Sequence, residues 1–261
     1  MLNMEEIEQV RAVANARGPL LIATDLDGTL APIVRHAADA RVPGVTLAVL
    51  DRLATRAKVA VITGRDLNTA RRLVPVEGVL VIGSHGLEPS FEHPLLPPVD
   101  RVQLAAALEQ VEQKVISAVP SSFLHIERKS ISSAFHFRTS PELEPALRKA
   151  LADLPEGLRL REGRMVLEVV PNTEGGKGLA MTAVARHLRA HAIMAMGDDA
   201  TDAAMFRAAA NFRQEGAHVL LVGVSGGDET PPEIAELSDL LLRNTEEGLE
   251  ALEIVARALG V

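Results

Sequence analysis

The chain begins with segments of helical spacing that alternate with short, continuous apolar runs. A helical pattern over residues 4–17 ends at Gly18-Pro19, and the apolar run at 20–24 then predicts a strand buried on both faces. The same alternation predicts helices at 45–56 and 66–73 and strands at 58–63 and 79–82. It resumes with helices at 177–189, 201–210, 232–237 and 246–259, and with strands at 192–196, 219–224 and 240–242. This alternation predicts an α/β fold, with a parallel sheet covered on both faces.

The middle of the chain has a different pattern. After a Pro-rich stretch it predicts two helices, at 102–118 and 141–154. Its predicted strands lie at 123–128, 133–138, 158–161 and 165–170. Polar and apolar residues alternate in the second strand, which is typical of a half-exposed antiparallel sheet. We therefore expect a small α+β domain at 97–171, inserted into a core at 1–96 and 172–261.

Composition narrows the class of protein. The 261 residues are 47% hydrophobic and 24% charged, which is typical of a globular chain and excludes a disordered one. A net charge of −8 argues against nucleic acid as a partner, and no apolar run reaches the roughly 20 residues that span a bilayer. The absence of cysteine excludes thiolate chemistry. With no signal-peptide pattern, we expect a cytoplasmic protein with no membrane partner; the pattern fixes no oligomeric state.

Carboxylates are concentrated where two of the buried strands end. Asp25 and Asp27 follow the first strand. Three more follow the strand at 192–196, namely Asp198, Asp199 and Asp202. Turn formation and helix capping account for some of these acids but not for all of them. Because uncompensated carboxylates at one sheet edge repel one another, the set predicts a divalent cation with oxygen ligands, Mg²⁺.

Two further strand and helix ends carry groups suited to a phosphate. Thr63, Gly64 and Arg65 follow the second strand and supply a hydroxyl, a flexible backbone and a guanidinium. Lys177 begins a helix after two glycines, where helix N–H groups and a positive charge favour an anion. A lone lysine is more often a solvated surface residue, so Lys177 gains weight only from the residues expected around it.

Four motifs, taken in chain order, resemble the signature of the haloacid dehalogenase-like (HAD) phosphohydrolases. They are DLDGT at 25–29, the strand that ends in Thr63, Lys177, and GDDATD at 197–202. The resemblance implies a Rossmann-like parallel sheet core with an inserted α+β cap domain. It also implies that Asp25 is the nucleophile, that Asp27 acts as general acid and then as base, and that Thr63 and Lys177 bind phosphoryl oxygens.

The same resemblance implies the metal ligands and the reaction class. Mg²⁺ would be held by Asp25, the main-chain carbonyl of Asp27 and Asp198, with Asp199 and Asp202 in support. An acid two residues after the nucleophile separates the phosphatases and phosphomutases from the dehalogenases. The implied chemistry is phosphoryl transfer.

Further motifs resemble the trehalose-6-phosphate phosphatase family. They are GSHGLE at 83–88, ERK at 127–129, SAFHFR at 133–138 and EVVP at 168–171. The resemblance implies a phosphorylated disaccharide as substrate, bound by Gly64, Arg65, Ser84, His85, Gly86, Glu88, Glu127, Lys129 and Glu168. Taken from the pattern alone, Glu127 and Lys129 equally fit a solvated strand face. Ser84 stands where the family often has Asn, and Phe137 where it commonly has Tyr.

The expected activity is therefore Mg²⁺-dependent hydrolysis of trehalose 6-phosphate to trehalose and phosphate through an aspartyl-phosphate, in trehalose biosynthesis. Three alternatives stay open. The first is a phosphatase for another sugar phosphate, such as a sucrose, mannosylglycerate or glucosylglycerate phosphate. The second is a sugar phosphomutase on the same scaffold. The third is a protein that binds a sugar phosphate as a sensor and has no enzymatic activity. The presence of both a nucleophile and an acid argues against this third alternative, because binding alone requires neither.

Overall fold

The computed structural model describes residues 1–96, 100–119, 124–163, 165–173, 175–227 and 230–261. The chain separates into two compact units, Met1–Leu96 with Gly175–Val261, and Pro97–Glu174. We call them the core unit and the cap unit. The first residue of the predicted inserted domain, Pro97, and the predicted strand start at Phe123 lie outside the described residues.

The elements of the core unit lie close to their predicted bounds. In chain order they are α1 (Met4–Ala14), β1 (Leu20–Thr24), α2 (Gly44–Ala54), β2 (Lys58–Ile62), α3 (Leu67–Leu73), β3 (Val79–Gly83), β4 (Glu88–Pro89), α6 (Lys177–His187), β9 (Ala192–Gly197), α7 (Asp202–Asn211), β10 (His218–Val224), α8 (Pro232–Leu237), β11 (Leu240–Leu242) and α9 (Thr245–Ala258). Those of the cap unit are α4 (Arg101–Ala118), β5 (His125–Arg128), β6 (Ser133–His136), α5 (Glu144–Ala150), β7 (Leu158–Gly163) and β8 (Val166–Pro171).

The core unit contains one seven-stranded sheet, in the order β11-β10-β9-β1-β2-β3-β4. Its strand pairs are parallel except for β3 with β4. The register aligns Thr24 with both Val61 of β2 and Met196 of β9. The residues that follow these three strands therefore meet at the same edge of the sheet, which is where open α/β sheets bind their ligands.

Both faces of this sheet are covered, which explains the continuous apolar runs. Leu20 and Ile22 of β1 pack into one hydrophobic cluster with α1, α2 and α9, while Leu21 and Ala23 pack into a second with α6 and α7. Because successive side chains of a strand point to opposite faces, every position of β1 has to be apolar or small. The predicted α/β fold with a Rossmann-like parallel sheet is confirmed.

The cap unit is an antiparallel sheet, in the order β5-β6-β8-β7, with two helices. Phe135 and Leu167 pair across β6 and β8 and are buried on the face that α4 covers, where Glu112 of α4 accepts hydrogen bonds from Arg128 and Ser133. The predicted helix at 141–154 is a 3₁₀ turn followed by the shorter α5. No helix in the described part of the chain is long and apolar enough to cross a membrane.

Candidate active site

Asp25 and Asp27 lie in a tight turn directly after β1. The Asp25 N–H donates to the Met196 carbonyl of β9 (2.9 Å), and the Gly28 N–H donates to the Ala31 carbonyl (2.7 Å). Gly28 has a φ of 85°, and a Cβ at this position would lie 2.0 Å from Asp198 Oδ2. Glycine is therefore required twice here, by the left-handed backbone and by the close approach of a carboxylate.

Three carboxylates and one ammonium group form a buried cluster at this edge. Oxygen atoms of Asp25, Asp198 and Asp202 lie within 4.8 Å of one another. Lys177 Nζ lies 2.8 Å from Asp25 Oδ1 and 2.8 Å from Asp202 Oδ1. The side chain of Lys177 is 1% exposed, so the turn before α6 delivers this charge into the cluster and not to solvent. The structure thus brings together residues from three of the four motifs.

The electrostatics of the cluster favour a bound cation. Burial raises the pKa of Asp25 well above its usual value, and Asp202 and Asp198 add repulsion although Lys177 opposes it. Burial, together with the charges of Asp202 and Asp199, raises the pKa of Asp198 to about 7. Burial tends to lower the pKa of Lys177, but Asp25 and Asp202 together raise it above its ordinary value. One positive charge does not neutralise this set of acids.

The donor set fits a hard divalent cation such as Mg²⁺. All the candidate ligand atoms are carboxylate oxygens, which are the ligands that Mg²⁺ prefers. Asp25 Oδ1 is buried and, although it is close to Lys177, accepts no aligned hydrogen bond from the described residues. A buried anionic oxygen of this kind is costly unless a cation or a donor satisfies it.

The remaining acids and Thr29 organise the cluster. Asp202 Oδ2 accepts the N–H groups of Asp198 (3.1 Å) and Asp199 (3.2 Å), which fixes the loop after β9. Asp199 Oδ1 accepts from the N–H and hydroxyl of Thr201 at the start of α7, so its carboxylate lies outside the group of three. Thr29, for which the sequence predicted no role, donates to Asp198 Oδ1 (2.9 Å). Its place at the end of DLDGT was the available signal.

Asp27 is held by an arginine from the next strand. Arg65 Nε donates to Asp27 Oδ2 (2.6 Å) and Nη2 donates to Oδ1 (2.7 Å), which is a bidentate pair. The Asp27 side chain is 36% exposed and that of Arg65 only 16%. The guanidinium therefore fixes the direction of a carboxylate that solvent and ligands can reach.

Two loops carry the other predicted residues of the core unit. His85 is half-buried, and its ring occupies the space beside Gly64, where an added Cβ would lie 2.6 Å from His85 Cε1. A Cβ on Gly86 would lie 2.8 Å from the Gly176 carbonyl, so this loop packs against the turn before Lys177. Glu88 is completely buried and accepts a hydrogen bond from Ser84 Oγ (2.7 Å).

One face of the cap sheet carries the predicted sugar-binding acids. The register aligns Glu127 of β5 with Ala134, Ala134 with Glu168 of β8, and Glu168 with Arg161 of β7. These four residues therefore form a row across the sheet, on the face opposite Phe135. Glu127 pairs with His136, with Oε2 2.9 Å from Nε2.

Glu168 is the centre of an ionic network on this face. Arg161 Nη2 (2.5 Å), Ser132 Oγ (2.7 Å) and Lys129 Nζ (3.1 Å) all donate to its carboxylate. Burial opposes ionisation, but the hydrogen bonds from Arg161 and Ser132 and the charge of Lys129 lower the pKa of Glu168 to about 2. Neither Ser132 nor Arg161 is among the site residues predicted from the sequence. Of the predicted cap residues, the structure brings Lys129 and Glu168 into contact.

Comparison with known proteins identifies the family. The family model for trehalose-phosphatase matches residues 23–236, which is most of the chain. The chain belongs to the trehalose-phosphatase family. The matched segment of this trehalose-phosphatase family member includes all the predicted site residues of both units. The resemblance found in the sequence is thereby confirmed.

Curated relatives of this family member carry the same description. The chain is 31% identical over 252 residues to a trehalose-phosphate phosphatase of Mycolicibacterium paratuberculosis, and 29% identical over 245 residues to one of Mycobacterium tuberculosis. These matches cover 86% and 85% of the chain, but only 62% and 61% of the relatives. The chain thus spans about three fifths of the length of the relatives it matches.

Solved structures support the fold of the family member. A crystal structure of a trehalose-6-phosphate phosphatase related protein aligns with a TM-score of 0.68 and 22% identity, and covers 91% of this chain and 97% of that one. The trehalose-6-phosphate phosphatase of Aspergillus fumigatus aligns with a TM-score of 0.62 and 22% identity, over 97% and 98% of the two chains. At 22% sequence identity, these alignments show a similarity of fold alone.

The network around Glu168 predicts a pH-dependent stability in the family member. Because the pKa of Glu168 is lowered from 4.5 to about 2, its ionised form stabilises the fold above pH 4.5, and this contribution is lost as pH falls towards 2. We expect Glu168→Gln to reduce the free energy of unfolding at pH 7 by about 1.5–3 kcal/mol. Thermal unfolding between pH 7 and pH 3 should show the difference in Tm from wild type shrinking as pH falls. Glu142→Gln, at an exposed position, is the control; a difference independent of pH would contradict the assignment.

Proposed function

We propose that the chain hydrolyses trehalose 6-phosphate to trehalose and inorganic phosphate. Membership of the trehalose-phosphatase family supports the substrate. The observation that carries the chemistry is the buried cluster of Asp25, Lys177, Asp198 and Asp202 at the carboxyl edge of β1 and β9. Such a cluster combines a carboxylate nucleophile with groups that neutralise the charge of a phosphate.

In the first step, an oxygen of Asp25 attacks phosphorus, and the bond between phosphorus and the sugar oxygen breaks. Asp27 donates a proton to that oxygen, so the sugar leaves as an alcohol and not as an alkoxide. The product is an aspartyl-phosphate on Asp25. Lys177, which lies 2.8 Å from Asp25 Oδ1, balances negative charge as the phosphoryl group arrives.

In the second step, Asp27 takes a proton from water as the water oxygen attacks the phosphorus of the aspartyl-phosphate. The bond between phosphorus and the Asp25 oxygen then breaks, and phosphate leaves. Asp27 is protonated again and Asp25 is again a carboxylate. The two aspartates thus divide nucleophilic and acid–base work between them, and atoms and protons balance over the cycle.

The pair of Asp27 with Arg65 sets a condition on this cycle. Both Asp27 oxygens accept hydrogen bonds from Arg65, so both are occupied as acceptors in the structure described above. At least one oxygen has to leave the guanidinium before Asp27 can carry a proton to the leaving group. We assign the released guanidinium to the incoming phosphate, for which its geometry is well suited.

Mg²⁺ belongs to this proposal. Asp25, Asp198 and the main-chain carbonyl of Asp27 would hold it, with Asp199 and Asp202 in support through the contacts already described. When bound, the ion neutralises the phosphoryl oxygens and the carboxylates around it. Thr63 and Lys177 bind the phosphoryl oxygens, while Gly64, Arg65, Ser84, His85 and Gly86 bind the substrate from the core unit. Glu127, Lys129 and Glu168 bind sugar hydroxyl groups, with acceptors and a donor on one face of the cap sheet.

Phosphate release from a panel of sugar phosphates tests the proposal. The panel contains trehalose 6-phosphate, sucrose 6-phosphate, glucose 6-phosphate and glucosyl-3-phosphoglycerate, each with Mg²⁺ and with EDTA. We expect kcat/KM for trehalose 6-phosphate to exceed the others by at least about 100-fold, because buried polar groups penalise substrates that leave them unpaired. EDTA should abolish this activity.

Two results would contradict the proposal in different ways. Similar activity on all the sugar phosphates of the panel would support the phosphatase chemistry but contradict trehalose 6-phosphate as the preferred substrate. No phosphate release unless a sugar bisphosphate is added would favour a phosphomutase. Because the chain has no Trp or Tyr, its concentration has to be measured by amino-acid quantification and not by absorbance at 280 nm.

A further inference from the structure

Glu88 is a buried carboxylate that the proposed mechanism does not use. Its relative exposure is 0%, and it follows the predicted substrate-binding residues Ser84 and His85 in the chain. Glu88 Oε2 accepts two hydrogen bonds, from the Leu67 N–H at the start of α3 (3.2 Å) and from Ser84 Oγ (2.7 Å). Burying a carboxylate costs free energy, so we looked for a role that explains its presence at this position.

These hydrogen bonds join two loops, 63–67 and 83–88, which we call the paired loops. The Ser84 N–H donates to the Arg65 carbonyl (2.7 Å), and the His85 N–H donates to the Thr63 carbonyl (2.9 Å). A Cβ on Gly83 would lie 2.5 Å from the Leu67 nitrogen, so the two backbones are in direct contact. The paired loops are therefore joined directly through their backbones.

The second loop has a backbone that needs such support. Ser84 and His85 both have positive φ values, 50° and 54°. Residues other than glycine rarely adopt such a backbone conformation. Consecutive residues in this conformation persist only where surrounding contacts hold them. The backbone contacts to Arg65 and Thr63, and the Ser84 hydroxyl on Glu88, supply that restraint.

The paired loops carry side chains on which the chemistry depends. Arg65 holds both oxygens of Asp27, Thr63 lies at the end of β2, and the His85 ring lies against Gly64. We propose that Glu88 is a positioning residue, which acts through the paired loops to set the orientation of Arg65, and hence of Asp27, in the phosphoryl-transfer site. This inference rests on the proposed function, and it replaces the expectation from the sequence that Glu88 binds the substrate.

Steady-state kinetics of three variants test the role. Glu88→Ala removes the acceptor, Glu88→Gln keeps a carbonyl oxygen able to accept from both donors, and Asp239→Ala is the matched control. Asp239 also accepts a backbone N–H, from Leu221 (2.8 Å), but it is exposed and directly precedes the edge strand β11. We expect Glu88→Ala to lower kcat for trehalose 6-phosphate by about 100-fold with KM within about threefold, since small misplacements near the chemistry cost this much. Glu88→Gln should remain within about fivefold of wild type, and Asp239→Ala should keep its kcat.

Amide hydrogen exchange separates this inference from the proposed function. In Glu88→Ala, the amides of the paired loops should exchange at least about tenfold faster than in wild type, and in Asp239→Ala they should not. Unchanged exchange, or a raised KM with kcat retained, would overturn the positioning role. A wild-type chain that releases no phosphate would overturn the proposed function alone, because exchange reports on the loops directly.

Discussion

Asp25→Asn is expected to abolish phosphate release, with a fall in kcat of at least about 1,000-fold, while the fold is kept. An amide oxygen is a poor nucleophile, so no aspartyl-phosphate forms, although the shape of the side chain is unchanged. Phosphate release at saturating substrate measures the effect. Asp51→Asn, at an exposed position of α2, is the matched control and should retain full activity. Retained activity in Asp25→Asn would remove Asp25 from the role of nucleophile.

The same substitution should make the chain more stable. Burial and the neighbouring acids raise the pKa of Asp25, so keeping it ionised costs stability that grows as pH rises above the ordinary range of an aspartate. Without divalent cation, Asp25→Asn should therefore raise Tm, and the gain should be larger at pH 8 than at pH 4. Addition of Mg²⁺ should reduce the advantage by stabilising the wild type. A lower Tm at both pH values would show that the ionised carboxylate contributes favourably to the fold.

Of the substitutions proposed here, Lys177→Met is expected to cause the largest decrease in the free energy of unfolding. It should also lower the activity. Lys177 is the buried cation that pairs with Asp25 and Asp202, and its removal leaves both acids without that partner. Breaking a buried ion pair in this way costs about 3–5 kcal/mol. Urea unfolding at pH 7 should show this decrease, and kcat should fall by at least about 100-fold because the phosphoryl charge is no longer balanced.

The control and the double variant sharpen this prediction. Lys58→Met, at an exposed position of β2, should change the free energy of unfolding by less than about 0.5 kcal/mol. In Asp25→Asn with Lys177→Met, one of the unpaired acids is gone, so the loss of stability should be smaller than the sum of the two single effects. Strictly additive effects would contradict the direct coupling that the 2.8 Å distance indicates.

The sequence predicted the core unit well because its strands are buried on both faces. The bounds of β1 agree with the apolar run at 20–24, since its first four positions each face one of the two hydrophobic clusters. β4 was missed because a strand of two residues is too short to have a pattern. α5 ends at Ala150, four residues before the predicted end, because the Leu151 N–H closes the last turn and Pro155 lies ahead.

The sequence predicted those site residues whose positions follow from the ends of the parallel strands. Asp25, Asp198 and Asp202 meet because the register places β1 beside β9, and the order of the motifs indicated that edge. The pair of Arg65 with Asp27 was not predictable, since it depends on the direction of two side chains from separate loops. Burial of Glu88 was hidden for a similar reason, because a glutamate in a polar loop gives no signal of facing inwards. The catalytic and binding roles of these residues are predictions that the proposed substitutions and kinetic measurements test.

The order of strands in the core sheet has a consequence for synthesis on the ribosome. β1 lies between β2 and β9, but β9 begins at Ala192, so the nascent chain has to emerge through the whole cap unit before β1 gains its second neighbour. Until then β1 is an unprotected apolar edge, which is a site for wrong pairing between chains. The acidic cluster also forms only at that late stage, because Asp198 and Asp202 arrive with the end of β9. Truncation products that end before β9 therefore lack the cluster and leave one edge of β1 without a partner strand.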